Sequence, residues 1–131
     1  MAPSEAPREP KVLVVEDEYL IARELAETLE DAGLEVLGPV ATLDAAFGLL
    51  GQHQDIAAAI LDVKLHGNAI YPVAEALRRR GVPFVFATGY DRDAIAPAFR
   101  DAQHFEKPTE ASSIVNHLLH SLRWSPVALN G

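Results

Sequence analysis

Short strand-like runs alternate with stretches of helical periodicity, and this alternation constrains the chain more than any other feature. The runs are Lys11–Val15, Leu34–Val40, Ile56–Leu61, Val82–Ala87 and the shorter, more polar Gln103–Glu106. Apolar runs without strict polar alternation read as strands buried on both faces. Residues 18–32 carry Ile21, Leu25 and Leu29 at helical spacing and close on Gly33. Thr42 is a natural N-cap for a helix with Leu43, Phe47 and Leu50 on one face. After a loop at Val63–Asn68, Ile70, Val73, Ala74 and Leu77 share a face ahead of Arg78-Arg79-Arg80 and Gly81. Asp91–Arg100 is expected to be helical, although Pro97 lies inside it. Thr109 is expected to cap a last helix whose apolar face holds Ile114, Val115, Leu118, Leu119 and Leu122. Gly38-Pro39 interrupts the second run, which suits an edge strand. Five such βα units imply an open parallel sheet with helices on both faces.

At 131 residues and a formal net charge of −8, the chain suits one acidic domain at 11–123, between tails at 1–10 and 124–131. The charge argues against nucleic acid and against an anionic membrane surface as partners. Cysteine is absent, which removes disulfides, thiolate metal sites and cysteine catalysis. The lead MAPSEAPREP has no apolar core, and no apolar run approaches bilayer length, so a soluble cytoplasmic protein is expected. Nothing after residue 123 reads as an output domain, so any effect is expected to come through protein contact or by acting as a phosphate sink.

In open α/β sheets, ligands bind beyond the carboxyl ends of the strands. Glu16-Asp17, Asp62, Thr88 and Lys107 all fall at those ends. Like charges about 4 Å apart at an effective dielectric near 20 repel by roughly 4 kcal/mol, so such a cluster calls for a cation. Mg²⁺ binds through one or two carboxylates with water and phosphate oxygens, which suits Asp17 with Glu16 behind it. Asp62 can attack phosphorus in line, Lys107 can neutralise a phosphoryl oxygen and Thr88 can donate to one. Phosphoryl transfer is mostly positioning and charge neutralisation, so a site this small suffices.

The segments VLVVEDE (12–18), ILDVKLHG (60–67), FATGY (86–90) and FEKP (105–108) come in an order that resembles the receiver domains of bacterial two-component response regulators. The resemblance covers residues 11–123 and implies a flavodoxin-like (βα)5 fold with strand order 2-1-3-4-5. It implies Asp62 as phosphoacceptor, with a histidine kinase or histidine phosphotransfer protein as donor. Mg²⁺ would sit on Asp17, Asp62 and the Lys64 backbone carbonyl, with Glu16 holding it through water. Thr88 and Lys107 would bind the phosphoryl group, aided by the backbone N–H groups of Lys64 and Gly89. A downstream protein would read residues of about 91–123. Phe86-Ala87-Thr88-Gly89-Tyr90 is similar to the motif of the FAT GUY single-domain receivers of alphaproteobacteria. Where many receivers have an aromatic switch residue three positions before the lysine, this chain has His104. Tyr90 is therefore expected to supply part of the readout. Lys64 and Tyr90 are expected to overhang the site and slow hydrolysis of the acyl phosphate.

Plainer readings apply to several other residues. Glu18 suits the dipole at a helix N-terminus, and Arg78–Arg80 suit a solvated C-terminal turn. His66 suits a surface loop, and His117 with His120 lack a third ligand for zinc. Three rival functions differ in chemistry. An aspartyl-nucleophile phosphatase of the haloacid dehalogenase type would want a second acid where Lys64 stands. A flavodoxin-like cofactor carrier would want a Gly- or Ser/Thr-rich first loop rather than Glu16-Asp17-Glu18. A pseudo-receiver that binds partners without taking phosphate is compatible with His104, but the full set of five site residues weighs against it.

Overall fold

The computed structural model describes residues 9–65, 68–89 and 95–122. Strands β1 (Lys11–Val15), β2 (Glu35–Val40), β3 (Ile56–Leu61), β6 (Phe84–Thr88) and β7 (Gln103–Glu106) form one parallel sheet in the order β2-β1-β3-β6-β7. This is the flavodoxin-like order 2-1-3-4-5, and β2 is an edge strand as Gly38-Pro39 suggests. Helices α1 (Tyr19–Asp31), α2 (Leu43–Gln52), α3 (Tyr71–Arg79) and α4 (Ala111–Leu122) cover the two faces.

Strand alternation divides the core in two. Leu13, Val15, Ala59, Leu61 and Phe86 face α2 and α3. Val12, Val14, Ala58, Ile60, Val85 and Ala87 face α1 and α4. The three inner strands β1, β3 and β6 are therefore apolar on both sides, the physical reason their sequences do not alternate with polar residues, whereas the edge strands β2 and β7 are partly exposed. Leu25 and Leu29 of α1 are fully enclosed, each contributing about 2 kcal/mol by burial.

Four local expectations need correction. The inner residues of α2 are Ala46 and Leu50, while Phe47 is 41% exposed. The Val63–Asn68 loop contains a two-residue antiparallel ladder, β4 (Lys64–Leu65) with β5 (Asn68–Ala69). Residues 95–100 hold only a 3-10 turn at Pro97–Phe99, and Ala96 before the proline is extended (ψ 138°); residues 90–94 lie outside the described residues. Finally, α4 starts at Ala111, and the Thr109 hydroxyl donates to the Glu106 carbonyl. Thr42 does cap α2, accepting from Ala45 N at 3.1 Å.

The arginines at the end of α3 are not merely solvated. Arg80 donates to the carbonyls of Leu50 (2.6 Å) and His53 (2.9 Å), which closes the open end of α2. Arg78 lies 4.6 Å over the Phe99 ring and donates to the Ala98 carbonyl at 2.9 Å. Arg79 pairs with Glu75 one turn back. No described helix is long and apolar enough to cross a membrane.

Candidate functional site

Backbone hydrogen bonds between strand ends bring the predicted residues together. At Gly38 the β2 chain bulges: Leu13 pairs with Leu37, but Val15 pairs with Val40. Gly38 has φ +97°, and a Cβ there would stand 2.7 Å from Val40 N, so the bulge needs glycine. The bulge sets the Val40 carbonyl where Glu16 N donates to it at 2.9 Å. Next along the sheet, Asp62 N donates to the Val15 carbonyl at 2.9 Å, and Lys107 N donates to the Thr88 carbonyl at 2.8 Å.

The side chains converge in the crevice above. Glu16, Asp17 and Asp62 each offer a carboxylate oxygen within 4.8 Å of the others. Lys107 Nζ lies 2.6 Å from Glu16 Oε1, 3.3 Å from Asp62 Oδ2 and 3.7 Å from Glu18 Oε1. The second Glu16 oxygen accepts from Glu18 N at 3.1 Å. Thr88 is completely buried at the end of β6, while Glu16 and Asp62 are nearly so. Glu18 takes the N-cap position of α1 without a side-chain cap, and its exposed carboxylate turns toward Lys107 instead.

Burial pushes the Glu16 carboxyl up to about 7, the negative charge of Asp62 adds to this, and Lys107 only partly opposes it. For Lys107, burial acts to lower the ammonium, but Glu16 and Asp62 together outweigh it and the net direction is up. The crevice is thus short of positive charge even with its lysine in place. Three carboxylates and no soft donor suit a hard divalent cation. The three carboxylates, all within 4.8 Å of one another, are close enough to hold one such ion between them, directly or through its water.

The sequence reading did not single out the first turn of α1. Tyr19 and Leu20 are 73% and 75% exposed beside the carboxylates. Grooves of about 460 Å³ and 490 Å³ flank this helix, the first lined by Ile21, Leu25, Lys107 and Ile114 and the second by Tyr19, Ala22, Pro39 and Ala41. The signal was present: both residues are large and apolar, and both lie off the Ile21–Leu25–Leu29 stripe. Tyr90, His66 and the Lys64 side chain fall outside the described residues. His104 is half-buried in β7, and His117 packs edge-on against Phe105.

A five-stranded 2-1-3-4-5 sheet with an acidic crevice and a lysine at its carboxyl ends defines a class, and the chain belongs to the response regulator receiver family. Its relatives include SdrG from Sphingomonas melonis Fr1, whose solution structure is 39% identical with a TM-score of 0.75, over 88% of this chain and 98% of that one. The BeF3-activated conformation of SdrG, from Pseudomonas melonis Fr1, is 41% identical over 86% of this chain and 95% of that one, with a TM-score of 0.70. The receiver domain of the Erythrobacter litoralis PhyR response regulator shares the fold at 24% identity and a TM-score of 0.76, over 90% and 93% of the two chains. The transcriptional regulatory protein PdtaR of Mycobacterium tuberculosis is 31% identical over 80% of this chain. The chain spans 53% of PdtaR, about half the length of the curated relatives it matches. No family model matches the chain.

Proposed function

We propose that this chain is a phosphoryl-accepting receiver of the FAT GUY type, with Asp62 as the acceptor and a histidine kinase or phosphotransfer protein as the donor. The observation that carries the reading is the convergence of Lys107 Nζ on Glu16 and Asp62 beside Asp17, with Thr88 joined to Lys107 through the backbone. Asp62 Oδ attacks the phosphorus of a phosphohistidine; a P–O bond forms as the P–N bond breaks, and the bonding pair leaves with the imidazole nitrogen. Lys107 moves from the carboxylates to a phosphoryl oxygen, and the Thr88 hydroxyl donates to another. Asp17, Asp62 and the Lys64 carbonyl, with Glu16 through water, would hold Mg²⁺, which neutralises charge and orients the transferred group. The phosphoryl group ends on the protein itself, so the chain is an acceptor rather than a turnover enzyme. Exposed Tyr19 and Leu20, directly after the Glu16-Asp17-Glu18 run, give the donor protein an apolar foothold. Output follows through protein contact or phosphate drainage in the cytoplasm.

Incubation with Mg²⁺ and acetyl phosphate is expected to add the mass of one phosphoryl group, and Asp62→Asn to abolish the gain. Absence of the gain with both acetyl phosphate and a phosphorylated phosphotransfer protein would overturn the reading in favour of a pseudo-receiver.

A further inference from the structure

Tyr71 joins three segments that no local sequence pattern connects. It is the first residue of α3, directly after Ile70, whose N–H donates to the Val63 carbonyl at 2.8 Å. One end of the contact is thus the residue following Asp62. The Tyr71 hydroxyl accepts from Ala96 N at 2.8 Å. Its ring stacks on Phe99 (5.2 Å between centroids, 11° between planes) and meets Phe86 edge-on (6.3 Å, 88°). Phe86 is fully buried two residues before Thr88 on the same strand, and Phe99 meets it edge-on at 6.2 Å.

The 95–101 segment leans on these contacts. Its own local bonds are few: Phe99 N, Arg100 N and Ala102 N donate to the Ala96, Pro97 and Phe99 carbonyls, and Arg100 Nε donates to the Ile95 carbonyl. Arg78 adds the bond to Ala98 and an ion pair to Asp101 at 3.2 Å, again from α3. The position where the family resemblance leads one to expect an aromatic switch holds His104, paired in register with Phe86 and so on the same sheet face. An aromatic ring with a hydroxyl is present on that face, but it comes from α3.

We infer that Tyr71 is the positioning residue through which the state of Asp62 reaches the 95–101 surface. The inference rests on the phosphoacceptor reading above. When Thr88 turns toward a phosphoryl oxygen and the backbone after Asp62 adjusts, both displacements meet at Tyr71. The Tyr71 ring is partly buried and touches both Phe86 and Phe99, so a shift of either ring is passed to it. The bond from Ala96 to the Tyr71 hydroxyl either holds or breaks, giving the two discrete arrangements that a readout needs.

The test uses amide NMR shifts of the full chain with Mg²⁺ and beryllofluoride, an acyl-phosphate mimic. Wild type is expected to shift at Gly89 and at Ala96, Phe99 and Arg100. Tyr71→Phe keeps the ring and the core, so it should retain the Gly89 shift and lose more than half of the shift at the other three. A variant that keeps all of the 95–101 shifts overturns the role of Tyr71 while leaving the phosphoacceptor reading standing. A wild-type protein that shows no shift even at Gly89 overturns that reading itself. A melting temperature for Tyr71→Phe close to wild type confirms that the comparison is between folded proteins.

Discussion

The same sheet carries a lysine–aspartate pair at each of its two ends, and the pairs differ in everything but residue type. At the amino ends of the strands, Lys11 Nζ meets Asp55 Oδ2 at 3.0 Å, with the aspartate side chain 55% exposed. At the carboxyl ends, Lys107 meets Asp62 at 3.3 Å and Glu16 at 2.6 Å, with the carboxylates 8% and 2% exposed. The first pair is balanced in charge and screened by water. The second sets one cation against Glu16, Asp17 and Asp62, in a place where burial raises the free energy of every unmatched charge. A charge pair becomes a chemical site when it is both desolvated and unbalanced, because only then does a further cation or a transferred group relieve it.

The largest test of this contrast is pH. The Glu16 carboxyl is pushed up to about 7 from 4.5. Between those values the folded state holds a proton that the unfolded chain has released, so metal-free stability falls as pH rises through this window. The expected loss between pH 5 and pH 8 is about 2 to 3 kcal/mol, read as a lower urea midpoint. Magnesium at a hundredfold excess over its dissociation constant should restore about 2.7 kcal/mol at pH 8. Asp55 adds nothing in this window: its pKa is lowered, chiefly by the hydrogen bond from Lys11, so its contribution is lost only on acidification below 3.8. Equal metal-free stability at pH 5 and pH 8 would erase the difference between the two ends.

Removing the buried cation gives the next largest effect. Lys107→Ala should destabilise the metal-free protein by about 2 kcal/mol at pH 8. The loss should shrink at pH 5, where Glu16 is protonated. The same variant should bind Mg²⁺ more tightly, because Lys107 is the internal competitor for the same oxygens. Weaker Mg²⁺ binding would show that Lys107 organises the carboxylates rather than competing for them.

Most of the architecture was legible because the inner strands β1, β3 and β6 are enclosed on both faces, which writes an uninterrupted apolar run such as Ile56–Leu61. The convergence of Glu16, Asp17, Asp62, Thr88 and Lys107 was legible for a related reason: residues at the carboxyl ends of parallel strands share one crevice. Features set by tertiary contact were not. On α2 the larger Phe47 dominated the periodic signal, whereas small Ala46 is the residue that fits against the sheet. The clamps made by Arg78 and Arg80 join residues 20 to 30 positions apart, beyond any local pattern. At Ala96 the signal was present and was outweighed: a residue before proline is pushed out of the helical region, and Ala96 departs in this way from the helix expected across Asp91–Arg100. The Tyr71 contacts were hidden because they reach Ala96, Phe86 and Phe99, none of them its sequence neighbours.

The smallest effect belongs to the amino-end pair and completes the contrast. Asp55→Asn preserves shape and removes only the charge facing Lys11. The aspartate is more than half exposed, so water and salt screen the attraction, and holding two flexible side chains together offsets much of what remains. The melting temperature in 0.15 M salt (a Debye length of about 8 Å) should therefore move by about 1 °C or less. Its response to Mg²⁺ should match wild type, because the pair lies at the far end of the strands from the carboxylates. A drop in melting temperature as large as that of Lys107→Ala would show that strand-end pairing as such, rather than burial and imbalance, carries the stability. Asp62 would then lose its claim to a special electrostatic setting, and only its place beside Glu16 and Asp17 would separate it from Asp55.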